Sequence, residues 1–231
     1  MFRYCISIIV FFFCASLWGQ NEPKEAKLDS VYKKRYGLRV GVDMARVVRT
    51  LLDEDYEGIE LQADYRIKKN LYIAGEIGTE EKFEDGDATI STSSGNYIKA
   101  GVDYNVYSNW LNMDNLIYLG FRYGFAIHDQ RLQEFNFAVR DFPFEVPIVQ
   151  TDLETTGLNA SWMEVQLGTK VEVFSNIYIG VNVQLKLLVS ESKPDNFDNL
   201  FIPGFGRTYD TSQIGVGYNY YISYLIPIKK K

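Results

Sequence analysis

Cysteine is nearly missing from the 231 residues: the chain has two, Cys5 and Cys14. Both fall in an N-terminal stretch that reads as an export signal, so the mature chain relies on neither disulfides nor thiolate chemistry. Histidine is scarcer still, with His128 alone. One imidazole and no thiol leave only carboxylates to ligate a metal, so no metal and no cofactor is expected. An excess of positive charge is also lacking. The chain has 24 Lys+Arg against 30 Asp+Glu and a net charge of -6, which argues against a protein that grips phosphate backbones and removes nucleic acid from its partners. Long hydrophobic runs are absent past residue 20, so no transmembrane helix is expected there. The six prolines, Pro23, Pro143, Pro147, Pro194, Pro203 and Pro227, avoid the regular segments described below. What is abundant is apolar and aromatic residues, at 46% and 15%, far too many for a disordered chain. The mean hydropathy of -0.16 suits a soluble domain, but suits equally a membrane barrel whose strands hide half their residues in a polar bore.

The N-terminus carries one positive charge in Met1-Phe2-Arg3, then an apolar run over residues 6–17 that ends at Trp18-Gly19-Gln20. This predicts a signal peptide over 1–20. Cys14 does not read as a lipidated terminus, because Phe11-Phe12-Phe13 before it lacks small residues. The charged stretch 21–36 without clear periodicity reads as a periplasmic leader.

From Gly37 onward, apolar and polar residues alternate with period two, the signature of strands with two unlike faces. Eight such segments follow one another, at 38–44, 59–67, 71–77, 98–106, 117–125, 163–173, 177–187 and 214–224. Their apolar faces, from Leu38, Val40, Val42 and Met44 to Tyr218, Tyr220, Ile222 and Tyr224, contain no charge. Their other faces carry Arg39, Asp43, Glu60, Asp64, Arg66, Glu76, Lys99, Asp103, Arg122, Glu164, Lys170, Glu172 and Lys186, interleaved with glycines. Alternation does not by itself say which face points inward, and a secreted lipocalin-like barrel binding a small apolar ligand stays open. Three features favour the polar face inside. Glycine on that face makes room for long charged side chains in a narrow bore; proline stays out of strand cores, as closure without edges demands; and short connections (68–70, 108–114, 175–176) alternate with longer ones (50–56, 80–95, 127–159, 189–212). The expectation is an all-β, eight-stranded antiparallel up-and-down transmembrane β-barrel over 37–228, followed by a basic tail at 229–231. Such a bore is just filled by its side chains. The inward charges then form a network of ion pairs that closes it, and no diffusion channel is expected.

The layout resembles the small eight-stranded outer-membrane barrels of the OmpA/OmpX kind. It resembles more closely the uncharacterised outer-membrane barrel families of Bacteroidota, on the Trp18-Gly19-Gln20 end of the signal and the tyrosine-rich last strand, Tyr218 to Tyr224. The resemblance implies an integral outer-membrane protein with no assigned activity. One departure is Lys229-Lys230-Lys231, where such barrels usually end on an aromatic residue.

Specific chemistry is thinly signalled. His128 with Ser161 and Glu164 is the one conceivable nucleophilic arrangement, which would make an outer-leaflet lipid-modifying enzyme; no Gly-x-Ser-x-Gly accompanies it, and His128 reads first as an exposed loop residue. The acidic runs Asp53-Glu54-Asp55 and 80–87 read as solvated tips beside outer-membrane lipid, able to reach lipopolysaccharide through divalent cations. Loop 127–159, with Phe135, Phe137, Phe142 and Phe144, reads as a protruding hairpin or a surface for a partner. The chain is thus expected to be a monomeric, non-catalytic outer-membrane barrel with a structural or surface-interaction role.

Overall fold

The computed structural model describes residues 35–86, 89–107, 114–135, 149–194, 197–209 and 212–230. The expected signal peptide, all but the end of the leader, and Phe137, Phe142 and Phe144 lie outside them.

Strand β1 (Arg35–Asp43) leads into helix α1 (Met44–Leu52). There follow β2 (Tyr56–Lys68), β3 (Leu71–Asp85), β4 (Thr89–Asn105), β5 (Leu116–Phe135), β6 (Val149–Phe174) and β7 (Ile177–Glu191). Two short strands, β8 (Phe201–Ile202) and β9 (Gly206–Arg207), precede the long β10 (Ile214–Lys230). Strands β1 to β7 and β10 close into one barrel in which every chain neighbour is a spatial neighbour, and β10 pairs antiparallel with β1 to complete it. The strand pairing begins at Arg35 and reaches Lys230, so it includes residues on both sides of the expected 37–228.

The period-two pattern decides the architecture because successive Cβ atoms point to opposite faces of a strand. Along β7, Tyr178, Gly180, Asn182, Gln184 and Lys186 are buried, while Ile179, Val181, Val183, Leu185 and Leu187 are exposed. The same holds round the barrel. Lys99 and Glu164 inside are 0% exposed, whereas Ile73 and Leu167 outside are 53% and 55% exposed. The polar face is the inward one, and lumenal glycines make that possible. A Cβ on Gly124 would collide with the Trp162 ring, and one on Gly168 would lie 2.6 Å from the Tyr118 ring; only glycine lets these aromatic rings cross the bore.

At the turn end of the barrel, the β2–β3 and β6–β7 connections, residues 69–70 and 175–176, are tight. Asn176 between β6 and β7 takes a left-handed φ of 67°, which asparagine adopts more readily than most residues. At the opposite, loop end the strands run further than their apolar pattern. Strand β3 pairs with β4 up to Asp85↔Ile90, and β5 with β6 up to Phe135↔Val149. Much of the segments expected as loops 80–95 and 127–159 is therefore paired strand. Past the apolar band both faces become polar, so alternation of hydrophobicity stops while backbone pairing continues.

Two other loop-end segments depart from expectation. Met44 does not end β1 but opens α1, and the expected loop 50–56 begins inside that helix. Asp43 is its cap, its carboxylate accepting from the Ala45 amide at 2.9 Å. Of the segment expected as external loop 189–212, residues 189–191 continue β7 and residues 197–209 turn inward. Its β8–β9 hairpin inserts Ile202 and Phe205 among Tyr97, Ala126, Ala160, Trp162 and Leu188, forming an apolar plug over the charged bore, and Phe201 is buried as well.

Candidate functional site

The lumenal strands position their charges at alternate residues, so opposing strands deliver them to one axis. From the turn end, the Arg39 guanidinium donates to Asp64 at 2.9 and 3.1 Å, and Lys170 bridges Asp64 at 2.7 Å and Asp103 at 3.3 Å. Arg122 continues from Asp103 at 2.7 Å to Glu76 at 3.1 Å. Lys99 bridges Glu76 and Glu60, the latter at 3.0 Å. Arg46 then joins Glu60 at 3.4 Å, Asp43 at 2.6 Å and Glu80 at 3.1 Å. Signs alternate along the whole series. Burying an ion costs several kcal/mol unless partners and hydrogen bonds restore what water supplied, and an alternating chain gives each inner member two opposite neighbours.

Tyrosines and amides complete it. Tyr97 donates to Glu60 at 2.7 Å, Asn219 to the same carboxylate at 2.9 Å, and Gln166 to Glu76 and Glu164 at 3.3 and 2.6 Å. The Arg39 guanidinium lies 4.7 Å from the Tyr178 ring centroid, and the Lys170 ammonium 4.7 Å from that of Tyr118.

The expected network residues thus sort by geometry. Arg39, Asp64, Lys170, Asp103, Arg122, Glu76, Lys99 and Glu60 form the continuous chain, and Asp43 enters it through Arg46. Arg66 stands apart near the turn end, paired with Asp114 at 2.8 Å and donating to Tyr72 at 2.6 Å. Glu164 is held by Gln166 and by the Trp162 indole at 3.3 Å, and half-buried Glu172 accepts from the Asn176 amide at 3.0 Å. Lys186 donates to the carbonyls of Gly204 and Phe205 in the plug, at 2.8 and 3.2 Å.

Three lumenal charges escaped the sequence reading. Glu80, taken as part of an acidic external tip, faces inward and accepts from the Tyr56 hydroxyl and the Gly204 amide, each at 2.5 Å. Its phase with Glu76 was the signal. Arg46 reaches the bore because the chain turns helical after Asp43, which the capping aspartate alone hinted at. Nothing in the pattern marked Asp114.

The plug is tied to β5. Gln130 donates to the Asp198 carbonyl at 3.1 Å and accepts from the Leu200 amide at 3.0 Å. His128, expected as an exposed loop residue, is 1% exposed on the lumenal face, with Nε2 3.3 Å from the Asn199 side-chain oxygen. Ser161 stands opposite Phe125 in the register, and Phe125 points outward. Ser161 and His128 therefore occupy opposite faces of the wall, and Glu164 is engaged elsewhere. The three do not form a Ser-His-acid relay.

Outside the wall, Asp53 follows α1. Slight burial would raise its pKa, but the Arg49 hydrogen bond at 3.2 Å and the Lys82 charge outweigh that and hold it below the usual carboxylate range. Among the described residues, no cluster of His, Cys, Asp and Glu could hold a metal ion.

Two solved structures align with the chain at low identity. Neisserial surface protein A aligns at 10% identity and a TM-score of 0.43, over 83% of this chain and 96% of its own. Ail, the attachment invasion locus protein of Yersinia pestis, aligns at 9% and 0.40, over 84% and 98%. No curated protein matches the chain. A family match covers residues 1–231, and the chain belongs to that family, DUF6048, whose description is a domain of unknown function.

Proposed function

We propose that this chain is an integral outer-membrane β-barrel, exported by the signal at 1–20, that acts without catalysis in envelope structure or surface interaction. The observation that carries the reading is the inverted distribution of residues. Large aliphatic and aromatic side chains, including Ile73, Ile77, Leu119, Phe121, Leu167, Val183 and Ile222, are exposed on the outer face of the strands, around a buried charged bore. Soluble monomers rarely expose contiguous apolar patches beyond a few hundred Å², whereas a barrel in lipid requires such a band. A secreted lipocalin-like barrel would have the opposite faces, so the apolar-ligand reading loses its pocket. The lipid-modifying reading loses its relay, because Ser161 and His128 lie on opposite faces.

Closure by the ion-pair chain below and the apolar plug above supports a role that does not depend on solute flow. The β5–β6 hairpin, paired to Phe135↔Val149, is the longest projection at the loop end and the natural surface for an external partner. Membrane fractionation with comparison of boiled and unboiled gel migration tests the reading. A heat-modifiable band in the outer-membrane fraction is expected; a chain that stays soluble without detergent would overturn it.

A further inference from the structure

The barrel wall is incomplete as a sheet. Strand β1 pairs with β10 as far as Asp43↔Tyr221 and with β2 as far as Val42↔Leu61, while β10 and β2 continue toward the loop end to Ile214 and Tyr56. Helix α1 stands in the gap. On the β2 side it is fastened, since the Thr50 hydroxyl accepts from the Gly58 amide at 2.9 Å and lies 3.2 Å from the Gly58 carbonyl. On the β10 side its described hydrogen bond is a side-chain one, Arg46 to Asn219 at 3.3 Å.

A cavity of about 920 Å³ lies along that looser seam, within the size range of small-molecule sites. Its lining changes character with depth. The outer part is formed by outward residues of the wall such as Leu185, Val216 and Tyr218, with Val48 and Leu52 of α1; Val216 and Tyr218 are exposed and continuous with the apolar band. The inner part reaches lumenal Lys186. Among the described lumenal cations, Lys186 is the one with no carboxylate within ion-pair distance; two of its three N–H donors are used on plug carbonyls. Gly217 leaves space above it, because a Cβ there would lie 3.1 Å from the ammonium. Two carboxylates also line the cavity, and both are already engaged: Glu80 by Arg46, Tyr56 and the Gly204 amide, and Asp53 by Arg49 and Lys82.

We propose that this lateral cavity between α1 and β10 binds a long-chain fatty acid drawn from the bilayer, with its carboxylate on Lys186 and its tail along Leu185, Val216 and Tyr218. The inference rests on the membrane reading above, because the outer mouth opens on the face that lipid would cover. Polarity graded from apolar outside to cationic inside fits a single-chain anionic amphiphile entering head first. A neutral chain would gain nothing from the lysine, and a two-chain lipid would have to leave one tail in the bilayer.

The test is equilibrium binding of radiolabelled palmitate to the full mature chain, folded in non-ionic detergent micelles, with hexadecanol and lysophosphatidylcholine as competitors. Saturable palmitate binding is expected, with weak competition by either competitor. Lys186→Met weakens it about tenfold, the change expected for loss of one charge-assisted hydrogen bond. Ala45→Trp, which fills the cavity from α1 and leaves the lumenal charges in place, abolishes it. Equal competition by hexadecanol, or unchanged affinity in both variants that still migrate as heat-modifiable barrels, overturns the proposal; displacement by lysophosphatidylcholine at matching concentration would do the same by assigning the cavity to a phospholipid. A heat-modifiable outer-membrane barrel that retains no palmitate defeats this inference alone, whereas a soluble chain defeats the membrane reading and the lipid source with it.

Discussion

At the scale of single residues, Lys99 sits where the charge chain is most exposed to damage. Its ammonium is 0% exposed and lies between Glu60 and Glu76. Lys99→Met removes the cation and leaves the two carboxylates facing each other across the bore. Breaking a buried pair by deleting one partner costs about 3–5 kcal/mol, so this variant should lose its folded, heat-modifiable form at markedly lower urea concentration than the parent. The double variant with Glu76→Gln should recover part of the loss, since one orphaned charge goes with it. Gly124 is a second sensitive point. Gly124→Val drives a branched side chain into Trp162 in a bore without slack, and overpacking of this kind costs about 1–3 kcal/mol or more. A lowered unfolding midpoint measured by gel shift checks it; an unchanged midpoint would mean the ring can move aside.

At the scale of elements, the inward hairpin β8–β9 is the part whose removal should spare the barrel. Its residues contribute no barrel strand, and the ion-pair chain beneath it does not pass through it. Replacing 201–206 by a Gly-Ser linker should keep heat-modifiable migration while uncovering Trp162, now 0% exposed. In a Trp110→Phe background, stronger acrylamide quenching and a red-shifted emission would report that exposure; unchanged fluorescence would mean the plug does not cover the ring. The β5–β6 projection is equally separable. Deleting 131–150 takes Arg131 from its exposed pair with Asp152, whose surface position makes it worth little, and should leave the compact unboiled band intact.

At the scale of the whole molecule, a bore filled by side chains and capped by a plug should carry no steady current. Purified protein in planar bilayers is expected to show none of the large, stable openings of a porin, and such openings would show that the charge chain does not span the lumen. Among the described residues no helix is long and apolar enough to cross a membrane.

The sequence by itself determined the strand content and the two faces of each strand, because a period of two leaves one side of Leu38–Val42 or Ile177–Leu187 apolar and the other polar whatever the partners are. It also named most of the charges that meet in the bore, since Arg39, Asp64, Glu76, Lys99 and Arg122 share that phase. Only the tertiary structure decided how those charges pair, because Arg122 meets Glu76 and Asp103 through barrel closure that brings residues distant in sequence to one axis. The helix after Asp43, the inward turn of 197–209 and the burial of His128 likewise follow from closure. A nine-residue helix and a hairpin of two-residue strands have too little periodicity to announce themselves, and they settle where the unpaired edges of β2 and β10 and the open mouth of the bore leave polar and apolar groups to be covered.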